Sequence, residues 1–221
     1  MMRINKLLSP VVFLAALALA ACGSTSTRSS LDSDGSELRN EQGWLKPSPS
    51  LAQTIEIRAN EAEFLLNRDG FVELTEWFYR IGEPAYPTLI DMSASQSVKT
   101  REVAMAVIAR LRDQRLLKPF RRRVPEPAAT DRGARAAWAR ALLGMNDLAG
   151  APILIDTMET HEDPSIRKLA HNELVRHVSD NGIEYNAYGT VEERAQGIAA
   201  WREWYSRTRT GSATTGETSA L

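Results

Sequence analysis

Few residues in this chain could carry chemistry, and their spacing narrows what they can do. There is one cysteine, Cys22, and there are three histidines, His161, His171 and His177. His171 and His177, six residues apart, stand on opposite faces of a helix, whereas a helical zinc site needs its imidazoles at i and i+4. No metal is expected. A nucleophilic serine would sit in an elbow such as Gly-x-Ser-x-Gly, and the sequence has none. Carboxylates are numerous, so a close pair among them means little alone. Neither an enzymatic activity nor a cofactor is expected. What remains suits binding. Arg121, Arg122 and Arg123, with Lys118 nearby, make the strongest local charge, and guanidinium forks grip carboxylates and phosphates as lysine does not. Arg135 and Arg140 flank Trp138, while Tyr185, Tyr188, Trp201, Trp204 and Tyr205 form an aromatic set. The plainer uses are a solvated turn for the basic run and core packing for the aromatics. The sharper ones are docking of an acidic partner, lipid headgroups or an anionic polymer, and stacking on sugar rings.

Cys22 has a specific setting. Arg3 and Lys6 precede an apolar run from Leu7 to Ala21 that only Ser9 and Pro10 interrupt. At about 15 residues it falls short of the roughly 20 that span a bilayer, and its flanks are those of a secretory signal. The run ends in Leu19-Ala20-Ala21-Cys22, which resembles the lipobox of bacterial lipoproteins. That resemblance implies cleavage before Cys22, lipid on its thiol, and anchoring by two or three acyl chains at roughly 0.8 kcal/mol per methylene. With Gly23 next rather than aspartate, it also implies an outer-membrane protein facing the periplasm.

Residues 1–21 are therefore expected to be a signal peptide and 22–49 a lipidated flexible tether, since residues 23–36 read GSTSTRSSLDSDGS. Such a tether of about 26 residues reaches roughly 28 Å. A polar tail, 209–221, closes the chain, and both ends lack the apolar surface to offset chain entropy. Residues 50–208 make one domain. Without Arg3 and Lys6 the 27 basic and 28 acidic residues become 25 and 28, a net −3. That balance argues against nucleic-acid binding. With no second cysteine the fold rests on its apolar core.

The domain reads as all-α. Val98, Val103, Val107, Ile108 and Leu111 recur at helical spacing, as do Ile166, Leu169, Ala170, Leu174, Val175 and Val178. A longer period lies beneath this one. Pro87, Pro119 and Pro152 are 32 and 33 residues apart, each in a short apolar helix. Longer Ala- and Arg-rich helices follow, beginning near Arg101, Arg132 and Arg167, and Gly82, Asp113 and Asp147 precede the short ones. The segments Gly82-Glu-Pro-Ala-Tyr-Pro87-Thr-Leu89 and Asp163-Pro-Ser-Ile-Arg167-Lys-Leu-Ala170 resemble the two halves of a HEAT repeat. The middle copy departs, with the arginine run and then Pro125-Glu126-Pro127. Glu192-Glu193-Arg194 before Trp201-Arg-Glu-Trp204 is similar to the closing helix of HEAT-containing envelope proteins.

The resemblance implies a short HEAT-like α-solenoid of antiparallel helix pairs. Capping helices would close it: residues about 50–67 and 71–81 at one end, and the Trp201 helix at the other. It implies an interaction or scaffold module for an envelope protein partner, with Arg121, Arg122, Arg123, Arg135 and Trp138 as candidate contacts and the second helices lining a concave face. An envelope assembly chaperone and a polysaccharide-binding module are the alternatives, because fold alone does not fix function.

Overall fold

The computed structural model describes residues 38–176 and 182–214. The predicted signal peptide, the lipidation site Cys22, His177 and the last residues of the tail lie outside the described residues. Among the described residues there are nine α-helices and no strand, only an isolated antiparallel bridge between Arg39 and Leu45. The helices are α1 (Pro49–Glu61), α2 (Arg68–Ile81), α3 (Tyr86–Ser93), α4 (Val98–Leu111), α5 (Leu117–Arg123), α6 (Arg132–Gly144), α7 (Ala151–Thr160), α8 (Pro164–Val175) and α9 (Val191–Thr214).

Local chemistry sets the boundaries. Ser97, Asp131 and Asp163 cap α4, α6 and α8 by accepting from Thr100, Ala134 and Ser165 N–H, each worth about 1 kcal/mol. The short helices α3, α5 and α7 are each entered through one 3-10 turn: Glu83–Ala85, Gln114–Leu116 and Leu148–Gly150. Asp113 and Asp147 cap the latter two turns through the N–H groups of Arg115 and Ala149. Thr190 and Glu193 start α9 as a reciprocal capping box. After α2, α4 and α6 the chain turns on a residue of positive φ, namely Gly82 at 66°, Arg112 at 55° and Asn146 at 62°.

Packing follows chain order. The long helices touch in sequence, α2 on α4, α4 on α6 and α6 on α8, while α1 touches α3 and α3 touches α5. Across the two rows α3 packs on α4 and α7 on α8, and α9 lies on α7. Leu74, Phe78, Leu89, Ile108, Phe120, Leu142, Leu154 and Leu174 fill the space between and are fully buried. Where α4 meets α6, a Cβ on Gly144 would collide with the backbone of Ala109, so the helices cross backbone to backbone.

Three expectations need correction. The tether does not extend to residue 49: Trp44 is 3% exposed and meets the Tyr86 ring edge-on at 5.4 Å. Leu45 N–H donates to Glu83, which also pairs with Arg39. At the other end α9 continues to Thr214, beyond the expected domain end at 208. Val98 and Leu169, expected in the apolar faces, are exposed. The long helix expected to begin near Arg132 does begin there, and it presents Arg135 four residues after its cap, matching Arg101 in α4 and Arg167 in α8.

Candidate functional site

That shared arginine register explains why Arg135 does not stand out toward solvent. Arg101 donates to the carbonyls of Ser95 and Gln96, and Arg167 to those of His161, Glu162 and Ala187. Both tie the loop before a long helix onto that helix. Arg135, at the same place, reaches Glu126 at 3.2 Å. Trp138 is 6% exposed and its indole N–H donates to the Val124 carbonyl at 3.3 Å. Trp138 and Arg135 therefore hold the end of α5 against α6. As candidate partner contacts they are withdrawn: one is core and the other is a brace.

The basic run is partly spent as well. Arg121 pairs with Asp147, the cap of the next turn, and Arg123 with Asp91 of α3 at 3.2 Å. Exposed pairs of this kind contribute about 0–1 kcal/mol. Among the described residues Arg122 makes no ion pair and stands exposed. A cleft of about 560 Å³ beside Arg123 runs along the Pro125-Glu126-Pro127 loop to Arg101 and Asp131, and its charges are mixed.

A different arginine set converges elsewhere. A cleft of about 540 Å³ is walled by Arg110 and Arg112 at the end of α4, Arg140 of α6, Arg176 just past α8, and Glu173 of α8. Glu173 is 3% exposed and accepts from Arg140 at 3.2 Å and from Arg176 at 3.0 Å. Arg110 lies over the Tyr79 ring, 3.9 Å from its centre, and pairs with Glu76. Arg110 then Arg80 hold the Glu76 carboxyl below the usual range. Arg112 makes no hydrogen bond or ion pair among the described residues, and the Nε of Arg140 has no acceptor. Through Ala106, Arg140 and Leu169 this cleft runs into a second of about 230 Å³, floored by Phe71, Ala136, Ala137 and Ile166. Sequence reading placed Arg140 on such a face. It missed the other three arginines, because residues on three separate helices converge only once those helices pack.

The aromatic set is mostly structural. Trp201 is buried, Tyr185, Trp204 and Tyr205 pack on the core, and Tyr188 is exposed. Tyr185 donates to the Met158 carbonyl at 2.7 Å. His171 sits between the rings of Tyr185 and Trp201, at 5.3 and 5.7 Å. Burial pushes its pKa down, opposed by a contact with the Ile183 carbonyl. Among the described residues no group of histidine, cysteine and carboxylate side chains is placed to hold a metal, and no helix is long and apolar enough to cross a membrane. No family model, curated protein or solved structure matches this chain.

Proposed function

We propose that this chain is a lipid-anchored scaffold of the bacterial cell envelope whose helical domain holds a protein partner. In this reading residues 1–21 are removed, Cys22 carries the lipid, and Gly23 directs the protein to the outer membrane. The domain is a HEAT-like α-solenoid, with α1 and α2 closing one end and α9 the other. Three features favour that architecture. From α2 to α8 long and short helices alternate, the long ones among them pack on one another in chain order, and a side-chain cap and an arginine four residues after it recur in α4, α6 and α8. The observation that carries the function is the groove along the row of long helices, a concave surface of the kind that solenoids offer to peptides and helices. No catalytic step is proposed. The lipid fixes the location, the preceding segment sets the reach, and the groove holds the partner.

Crosslinking in living cells, followed by purification of the full-length protein and mass spectrometry, tests this reading. One dominant envelope protein is expected, recovered from membranes with the wild-type chain and lost when Cys22→Ala releases the protein or leaves it unprocessed. A diffuse set of clients would instead make the protein a chaperone. Normal processing and membrane recovery of Cys22→Ala would overturn the lipid anchor.

A further inference from the structure

The arginines around the groove are more than a complement to helix ends. Cations at the end of a helix offset its dipole, which accounts for Arg110 in the last turn of α4 and for Arg112 and Arg176 at the C-caps of α4 and α8. Arg140 lies inside α6 and is not explained that way. Arg112 is also in the left-handed region, at φ 55° and ψ 30°. Glycine and asparagine visit positive φ readily and other residues pay for it. The corresponding turns after α2 and α6 use Gly82 and Asn146. Only the turn facing the cleft keeps an arginine, and its side chain is exposed with no partner among the described residues. Strain of this kind at an unpaired charged residue points to use by a ligand.

We propose that the groove binds an acidic peptide segment of the partner, with carboxylates on Arg110, Arg112, Arg140 and Arg176 and an apolar side chain against Phe71, Ile166 and Leu169. This rests on the scaffold reading and supplies the chemistry of its partner. At its basic end the cleft is lined by four guanidiniums and one carboxylate, Glu173, and although Arg110 also pairs with Glu76, the positive charge there is in excess. Glu173 is a positioning residue: one buried carboxylate fixes two guanidiniums and leaves their other N–H groups to the cleft. The apolar half has no counterpart in a bare anion site. From Glu102 to Arg112 the groove follows α4 for roughly 15 Å at 1.5 Å per residue, the length of about four to five extended residues. A single headgroup would leave much of that length empty. The basic end and Glu102, the acidic residue at the other, give the bound segment a direction.

The test is selection of a random dodecapeptide phage library on the full-length protein in detergent, followed by titration of one selected peptide. Enrichment of adjacent Asp or Glu with a nearby Leu, Ile or Phe is expected. Arg112→Asn should weaken that peptide about tenfold, the loss of one charge-assisted contact. Its melting temperature should stay level or rise, since asparagine suits the backbone there. Changing Arg121, Arg122 and Arg123 together to Ser should leave binding unchanged. Selection without acidic bias, a binder indifferent to Arg112→Asn, or displacement of the peptide by pyrophosphate or phosphatidylglycerol vesicles at equal charge would overturn the assignment. A single partner crosslinked in cells alongside any of these failures would leave the scaffold reading intact and remove only its acidic-peptide chemistry.

Discussion

A buried tryptophan packs down near each end of the described chain, Trp44 and Trp201, but the means differ. At the N-terminal end Trp44 arrives on a short bridged segment held by Glu83 and an edge-on contact with Tyr86. At the C-terminal end Trp201 belongs to a helix of 24 residues and sits in a ring cluster with His171 and Trp204. There Arg167 and Tyr185 also lock the loop before the helix to α7 and α8. The first end leaves Phe64 and Leu66 at 72% and 94% exposure beside α1 and α2. The second buries Ile198 and Trp201, half-buries Ile183, Tyr185, Trp204 and Tyr205, and leaves Tyr188 and Val191 exposed. A long packed helix seals a stack of helices. A docked segment covers one spot and can leave without unfolding its neighbours.

The largest effect should come from the sealed end. Ending the chain at residue 190 removes α9, and Trp201→Ala alone should cost about 3–5 kcal/mol. Thermal melting should fall by about 6–20 °C in either case, at roughly 2–4 °C per kcal/mol for a domain of this size. Unchanged melting of the truncated form would show α9 to be an appendage and erase the contrast.

Trp44→Ala should cost less, about 1–2 kcal/mol in urea titration, because the loss is limited to the docking of its own segment. Protease cleavage near residues 38–47 should accelerate while the helices stay protected. Equal losses for the two tryptophans would mean that the short segment is part of the same cooperative unit.

The smallest effect is in pH dependence. His171 is held below the ordinary imidazole range by burial, so on acidification the unfolded chain takes up its proton first. Stability at the C-terminal end should therefore drop as pH falls through about 6.5 toward the lower folded value. His171→Gln should flatten that slope. At the opposite end Arg115 holds Asp113 and Glu83 below the carboxylate range. Their contribution is present above the ordinary carboxyl pKa of about 4 and is lost only in stronger acid. Identical acid profiles for the two ends, followed by tryptophan fluorescence of single-tryptophan variants, would contradict this division.

The helices were legible because their signals are local. Pro87, Pro119 and Pro152 mark the short helices by their constant spacing, and Ile108 or Leu174 declare a buried face. The packing of α9 on the rest of the fold was also readable, from Trp201 and Trp204 on one helical face. Trp44 was not, since it stands alone in a polar stretch and becomes core only because Tyr86 and Glu83 receive it. The arginines divide in the same way. Arg121 to Arg123 are conspicuous as neighbours in sequence, yet two of them are satisfied within the fold. Arg110, Arg112, Arg140 and Arg176 are scattered along the chain and meet only in space. Trp138 misled because an aromatic between arginines looks like a contact surface until α5 is packed over it.

The crossing of α4 and α6 has a consequence for anything that enters the groove. With no side chain between Gly144 and the Ala109 backbone, there is no soft layer in which the two helices could slide, and Arg110 sits one residue from that weld. The groove cannot widen at its basic end to suit a visitor. Adaptation falls on the guest, which must give up its own freedom on arrival, so discrimination between guests should appear as differences in how long each one stays.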